Sequence, residues 1–381
     1  MNTDYSPYIG KWRCDKNHQD LNVISLADGA LRVKQTFHNS GFFHWEPVFC
    51  TFEDGMLTIG INDDQNRAIY ELRLTEGGTL AGTYTQYGET TALAYEKVSE
   101  TPEDAEPYIK RDDKKVDDAG RSRGLLLREY AAYAADPGFG AVSYELETGK
   151  REQIAAIAEK YNLAAYTDGK TDLDLIFALL GFVCDTFRHN GSSGMPGDRT
   201  ADGLIRYCEE HENSVNCRGL AMLLAQLLRA YGIPAYHVTC MPFEEPFDDC
   251  HVVTMCRSER LKKWFFIDPT MRVYLRNADG VLLNLRELRD VLISGGALTP
   301  NADANYNGGA FDLENYREYM TKNTLRFERG ETLRYGYDDG WNHTRVLVLV
   351  PAAYREQYGD QFPKVALTTD PDLFWRDSAD F

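Results

Sequence analysis

Two hydrophobic rhythms divide the chain. Up to about residue 98, apolar and polar positions alternate over short runs, the period of a half-buried strand. The runs are 8–13, 21–26, 30–36, 44–51, 55–60, 67–75, 79–85 and 90–98. Turn-forming clusters separate them: Ala27-Asp28-Gly29, Glu53-Asp54-Gly55, Asn62-Asp63-Asp64 and Glu76-Gly77-Gly78. Short strands at about ten-residue spacing predict a closed up-and-down antiparallel β-barrel over 1–98.

Residues 99–124 lose the alternation. Proline and mixed charge from Glu100 to Pro107 and from Lys110 to Lys115 read as a linker or an entry helix, and the domain boundary is placed there. The second rhythm begins at 125 and has the helical period. It predicts helices over 125–133, 151–161, 172–189, 201–207 and 217–231. The last carries Leu at 220, 223, 224, 227 and 228 on one face, stops at Gly232 and is barred from resuming by Pro234. Strands follow at 235–241, 251–256 and 264–267, with 257–263 as a hairpin loop. Helices followed by antiparallel strands make residues 125–381 an α+β domain.

Composition narrows the class. The chain has 381 residues, 43% of them apolar and 12% aromatic, enough for two cores. No apolar run reaches the roughly 20 residues of a membrane helix, and the start lacks a secretory signal, so a cytoplasmic protein is expected. A net charge of −18 opposes nucleic acid and anionic membranes as partners. The eight cysteines, 14, 50, 184, 208, 217, 240, 250 and 256, include no C-x-x-C pair and are read as reduced thiols. Cys250, His251 and Cys256 are not read as a metal site, because neighbours along a strand point to opposite faces.

Chemistry concentrates after residue 213. Asn213, Ser214 and Asn216 are cap-type residues just before the leucine helix, so Cys217 falls in its first turn. Unpaired N–H groups and the helix dipole favour a thiolate there, and the same N–H groups can hold an oxyanion. The base comes from the strands. His251 opens one and Asp268 closes the next, so an antiparallel hairpin brings them to the same end. The carboxylate is expected to accept the imidazole Nδ1–H and so orient the base. A nucleophile at a helix tip with a strand histidine and a strand aspartate suits acyl transfer. His237 is a rival base without an acidic partner. His189 and His211, in polar segments, are read as solvated. Asp248 and Asp249 are read as solvated loop residues. Tyr335, Tyr337 and Trp341 are weighed as lining for a cleft.

The stretch Asn216-Cys217-Arg218-Gly219-Leu220-Ala221 through Leu227-Leu228-Arg229-Ala230-Tyr231-Gly232-Ile233-Pro234-Ala235 resembles the core of the transglutaminase-like superfamily. Cys250-His251-Val252-Val253 and Trp264-Phe265-Phe266-Ile267-Asp268-Pro269-Thr270 are similar to that family's histidine strand and D-P-T strand end. The matched region runs from about 170 to 275. Two positions depart from the pattern: Val253, where the family often has an aromatic, and Tyr236, where it often has Arg. Gly10-Lys11-Trp12 resembles the opening of lipocalin-like barrels.

The resemblance implies a papain-like fold for 125–381 with Cys217 as nucleophile, His251 as base and Asp268 as orienting acid. It implies hydrolysis of a peptide, protein or small amide through a thioacyl-enzyme, without cofactor or metal. The alternative is a non-catalytic binding protein whose cysteine domain is a degenerate scaffold. Either way the barrel would be free to hold a small ligand.

Overall fold

The structure is a computed structural model that describes residues 5–15, 19–26, 30–37, 42–45, 49–61, 68–86, 89–103, 121–244, 249–336, 345–359 and 366–376. The expected turns at 27–29 and 62–64, most of the 99–124 linker, Asp248, Tyr337 and Trp341 lie outside these residues. The chain divides into two compact units, the first built on Met1–Arg111 and the second on Asp112–Asp360 with Lys364–Phe381.

The first unit is one antiparallel sheet. Its strands are β1 (Gly10–Cys14), β2 (Gln19–Ser25), β3 (Leu31–Phe37), β4 (Phe42–Trp45), β5 (Phe49–Glu53), β6 (Met56–Ile61), β7 (Ala68–Leu74), β8 (Leu80–Gln86) and β9 (Glu89–Ser99). Their order is β4-β3-β2-β1-β9-β8-β7-β6-β5. Pairing of β1 with β9 joins the first strand to the last. The edges left are β4 and β5, neighbours in sequence, and β5 returns against β3, so the barrel is nearly closed. The single strand expected over 44–51 is two short ones. Period-two pairs fill the interior: Trp12 with Cys14, Leu21 with Val23, Leu57 with Ile59, and Tyr70 with Leu72. The Trp12 indole, buried there, donates to the Tyr8 carbonyl at 2.7 Å.

The second unit sets helices around a six-stranded sheet. The helices that shape its site are α1 (Asp172–Thr186), α2 (Ala201–Glu210), α3 (Cys217–Ala230), α4 (Leu285–Ser294) and α5 (Leu313–Asn323). The strands are β10 (Ala235–Met241), β11 (His251–Ser258), β12 (Lys263–Ile267), β13 (Arg326–Gly330), β14 (Val346–Leu349) and β15 (Ala366–Thr368), in the order β12-β11-β10-β13-β14-β15. All neighbours are antiparallel except β14 and β15. The last three strands complete a sheet of which the sequence pattern marked only the first three. All seven residues of β10 are buried, so it shows no alternation to read. No described helix is long and apolar enough to cross a membrane.

Helix α3 departs from its predicted single apolar face, since every residue from Gly219 to Ala230 is buried. The sheet strands β10 and β11 take one side, and α1 and α2 take others. A helix enclosed this way must satisfy its polar groups internally. Gln226 does so by accepting from the Ala201 amide at 2.9 Å and donating to the Arg199 carbonyl at 2.8 Å. Arg229 donates to the Ala235 carbonyl at 3.1 Å.

The first turn of α3 is held closely. A Cβ on Gly219 would lie 2.4 Å from Val215 Cγ2 and 3.2 Å from Met195 Sδ. Glycine to alanine inside a helix ordinarily stabilises, by about 1 kcal/mol. For Gly219→Ala we expect the opposite sign, a loss of about 1–3 kcal/mol from overpacking against Val215. Urea unfolding of the variant checks this; a midpoint equal to or above that of the parent chain refutes the packing account.

Candidate active site

Cys217 is the first residue of α3. Asn216 caps the helix, its Oδ1 accepting from the Gly219 amide at 3.0 Å while its Nδ2 donates to the Ser193 carbonyl at 3.0 Å. The cap therefore pins the cysteine turn to the 193–194 loop. It leaves the Cys217 amide among the first-turn N–H groups that have no partner within the helix, next to its own sulfur. Cys217 is partly buried and keeps some solvent access.

His251 and Asp268 come from adjacent strands. The β11–β12 ladder runs from Ser258↔Lys263 to Thr254↔Ile267. Continued by one step it sets Asp268 opposite Val253, with His251 the diagonal neighbour on the same face. Asp268 then turns out of the strand, bridging to Val273. His251 Nε2 and Asp268 Oδ2 are 2.6 Å apart, with His251 1% and Asp268 0% exposed. The expected contact was through Nδ1. The structure corrects this: the carboxylate holds Nε2, which leaves Nδ1 as the nitrogen for the sulfur. Strand and helix are tied together one turn below, where Thr254 Oγ1 donates to the Ala221 carbonyl of α3 at 3.0 Å.

Asp268 accepts two further bonds. Tyr316 of α5 donates its hydroxyl to Oδ2 at 2.9 Å, and the Thr270 amide donates to Oδ1 at 2.8 Å. Burial pushes this carboxyl up, but the His251 charge and hydrogen bond, Tyr316 and Thr270 outweigh it and hold it low. Burial likewise opposes charge on His251, yet Asp268 and the Cys217 sulfur raise its pKa to about 10. At Cys217 burial pushes the thiol up, and hydrogen bonds from His189 and His251 overcome it, lowering the pKa to about 6. By contrast, burial raises the thiols of Cys50, Cys184, Cys208, Cys240, Cys250 and Cys256. The structure thus brings Cys217, His251 and Asp268 together and makes Cys217 an acidic thiol beside an imidazolium.

Among solved structures, the chain is similar to a protein of Parabacteroides distasonis described as a "putative protease" (10% identity, TM-score 0.24), over 54% of this chain and 40% of that one. It is also similar to a protein of Cytophaga hutchinsonii described as a "putative cysteine protease" (14% identity, TM-score 0.26), over 70% of this chain and 87% of that one. The chain thus spans well under half the length of the first of these. No protein-family model matches the chain, and no curated protein does.

The other residues weighed from sequence take definite places. His189 is not simply solvated: its ring reaches both Cys217 and the Tyr306 hydroxyl, the latter at 3.1 Å from Nδ1. His211 stacks on Tyr207, and its Nδ1 lies 2.7 Å from the Tyr207 carbonyl. Asp249 is ion-paired at 2.7 Å with Lys322, itself 4% exposed. Tyr335 donates to Asp202 at 2.9 Å rather than lining the cavity at the site. His237 is buried; burial first, then Arg218, Arg229, Arg329 and Arg199, lower its pKa to about 3, so it stays neutral.

Helix α5 was missed altogether. It supplies Tyr316 and, one turn on, Tyr319, whose ring meets that of His251 at 5.2 Å while its hydroxyl donates to the Cys250 carbonyl at 3.1 Å. The i, i+3 spacing of these tyrosines was the available signal. A cavity of about 380 Å³ opens beside His251 and His189, walled by Met271, Tyr306, Phe311 and Tyr316. Among the described residues no group of three or more His, Cys, Asp or Glu converges to hold a metal ion.

Alkylation of Cys217 by iodoacetamide is expected to follow its thiolate fraction. Because the pKa is lowered to about 6, the rate should rise through that pH and be near its plateau at pH 7. It should fall below pH 6 as the sulfur takes up its proton. Peptide mapping by mass spectrometry reads all eight sites at once, and a Cys217 profile with its inflection near 9 contradicts this electrostatic picture.

Proposed function

We propose that the chain is a cysteine hydrolase of transglutaminase-like, papain-like design that cleaves an amide or peptide bond. The observation that carries this is the buried His251–Asp268 pair, 2.6 Å apart, acting on a helix-tip sulfur. In this reading the Cys217 thiolate attacks the carbonyl carbon, and the carbonyl electron pair moves to oxygen. The Cys217 amide at the helix start then stands where an oxyanion donor is needed. His251, charged in the resting pair, gives its proton to the leaving amine as the tetrahedral adduct collapses to the thioester. The neutral imidazole then takes a proton from water, whose oxygen attacks the thioester. Collapse of that adduct breaks the carbon–sulfur bond and releases the carboxylic acid and the Cys217 thiolate, and the proton already taken from water leaves His251 charged as before.

Asp268 keeps His251 oriented through Nε2 and favours the imidazolium, while Tyr316 and Thr270 hold Asp268 in place. Burial makes each of these contacts stronger than it would be in water. The cavity flanked by His251 and His189 gives the substrate side chains room beside the two imidazoles. An attacking amine in place of water would make the same site a transamidase. Water, present at far higher concentration than any amine, is the expected acceptor.

Turnover of a panel of peptidyl-aminomethylcoumarins is the test. Cys217→Ser is expected to abolish release, and Asp268→Asn to lower kcat by about 10³–10⁴-fold with the fold retained. Mass spectrometry of the parent chain after acid quench should show a thioacyl adduct on Cys217. A Cys217→Ser variant that keeps the parent rate would refute the assignment.

A further inference from the structure

We propose that His189 is a second catalytic imidazole, donating an Nε2–H hydrogen bond to the Cys217 sulfur and sharing the thiolate with His251. The inference rests on the cysteine-hydrolase reading and deepens it. His189 lies in a two-residue strand, Arg188–His189, paired in parallel with Ser214–Val215, so that His189 is in register with Val215, two residues before Cys217. The Arg188 amide donates to the Asn213 carbonyl at 2.7 Å and the Asn190 amide to the Val215 carbonyl at 3.0 Å. His189's own N–H and C=O therefore face the other edge, as alternate residues of a ladder do.

That edge is taken by a side chain that imitates a strand. The Asn307 carboxamide accepts from the His189 amide at 2.8 Å and donates to the His189 carbonyl at 2.9 Å. Asn307 and Gly308 form the two-residue loop of a hairpin, Asn305–Tyr306 with Gly309–Ala310. Both have left-handed φ, 51° and 83°, the condition of a tight hairpin turn that Asn-Gly meets well. The same hairpin sends the Tyr306 hydroxyl to His189 Nδ1 at 3.1 Å. With the phenol donating to Nδ1, the ring proton sits on Nε2, the nitrogen left for the sulfur. Backbone and ring are thus both tied, which is how a group held to one task is built.

The two imidazoles differ in kind. His251 is sealed from solvent and backed by a carboxylate, which suits an imidazole that carries charge in the resting pair. His189 is partly exposed and backed by a phenol, with no carboxylate on its ring among the described residues, which suits a hydrogen-bond donor to the sulfur. Both border the same cavity, so His189 also faces whatever enters it.

Iodoacetamide alkylation of the full chain tests this without a known substrate. In His189→Ala the Cys217 inflection should move up by about one pH unit, and the rate at pH 6 should fall about fivefold. His189→Gln, which keeps an N–H donor, should recover most of the loss. Asn307→Leu, which leaves the imidazole but unties it, should fall between. A His189→Ala profile that overlays the parent's overturns the role of His189 and leaves the Cys217–His251 reading standing. A parent Cys217 no faster than the other seven thiols at pH 6 overturns both. Should His189→Ala fail to fold, His189→Gln with an inflection displaced as far as that of Asn307→Leu, or further, would also refute the donor role.

Discussion

A carboxylate fully removed from water stays charged only if donors replace its hydration, and the second unit is arranged around that requirement at Asp268. Three donors converge on it: the His251 ring, the Tyr316 hydroxyl and the Thr270 amide. They come from a strand, a helix and a tight turn, so β11, α5 and the end of β12 must all be in place at once. Buried ion pairs rarely add much net stability, because the cost of dehydrating two charges consumes the attraction. A pair kept under those terms is better explained by the imidazolium it sustains beside Cys217 than by any contribution to folding.

The same constraint explains why the cysteine helix is enclosed. A thiolate gains from a helix N-terminus only if that terminus is fixed against the imidazole, since the dipole field fades within a turn. Helix α3 is fixed by burial on all sides, by Asn216 at its cap and by the Thr254 hydroxyl reaching from the histidine strand. Gly219 lets the first turn approach Val215, and Val215 is in register with His189. The sulfur and the two imidazoles are therefore referenced to one another through short covalent paths and few contacts.

The aromatic-rich segment after residue 300 has a definite task. Tyr316 and Tyr319 form the wall behind His251, and the 305–310 hairpin holds His189 by its backbone and its ring. These contacts also shape the cavity, whose apolar wall of Met271, Tyr306 and Phe311 faces two imidazoles.

Local order was legible in the chain. The period-two runs of the barrel, the cap at Asn216, the stop at Gly232 and the strands at 235–241 and 251–256, the latter running on to Ser258 in the structure, arise from interactions within a few residues, and so from the sequence by itself. The proximity of His251 and Asp268 was legible for a similar reason, since a hairpin links strand neighbours by a short turn. What joins distant segments was not. Tyr316 reaches Asp268 across 48 residues and Tyr306 reaches His189 across 117, with no periodicity connecting them. The choice of Nε2 over Nδ1 for the carboxylate, the enclosure of α3 and the place of His189 beside the sulfur follow from how layers pack. Packing is a sum over partners that no local pattern contains, so only the tertiary structure decided them.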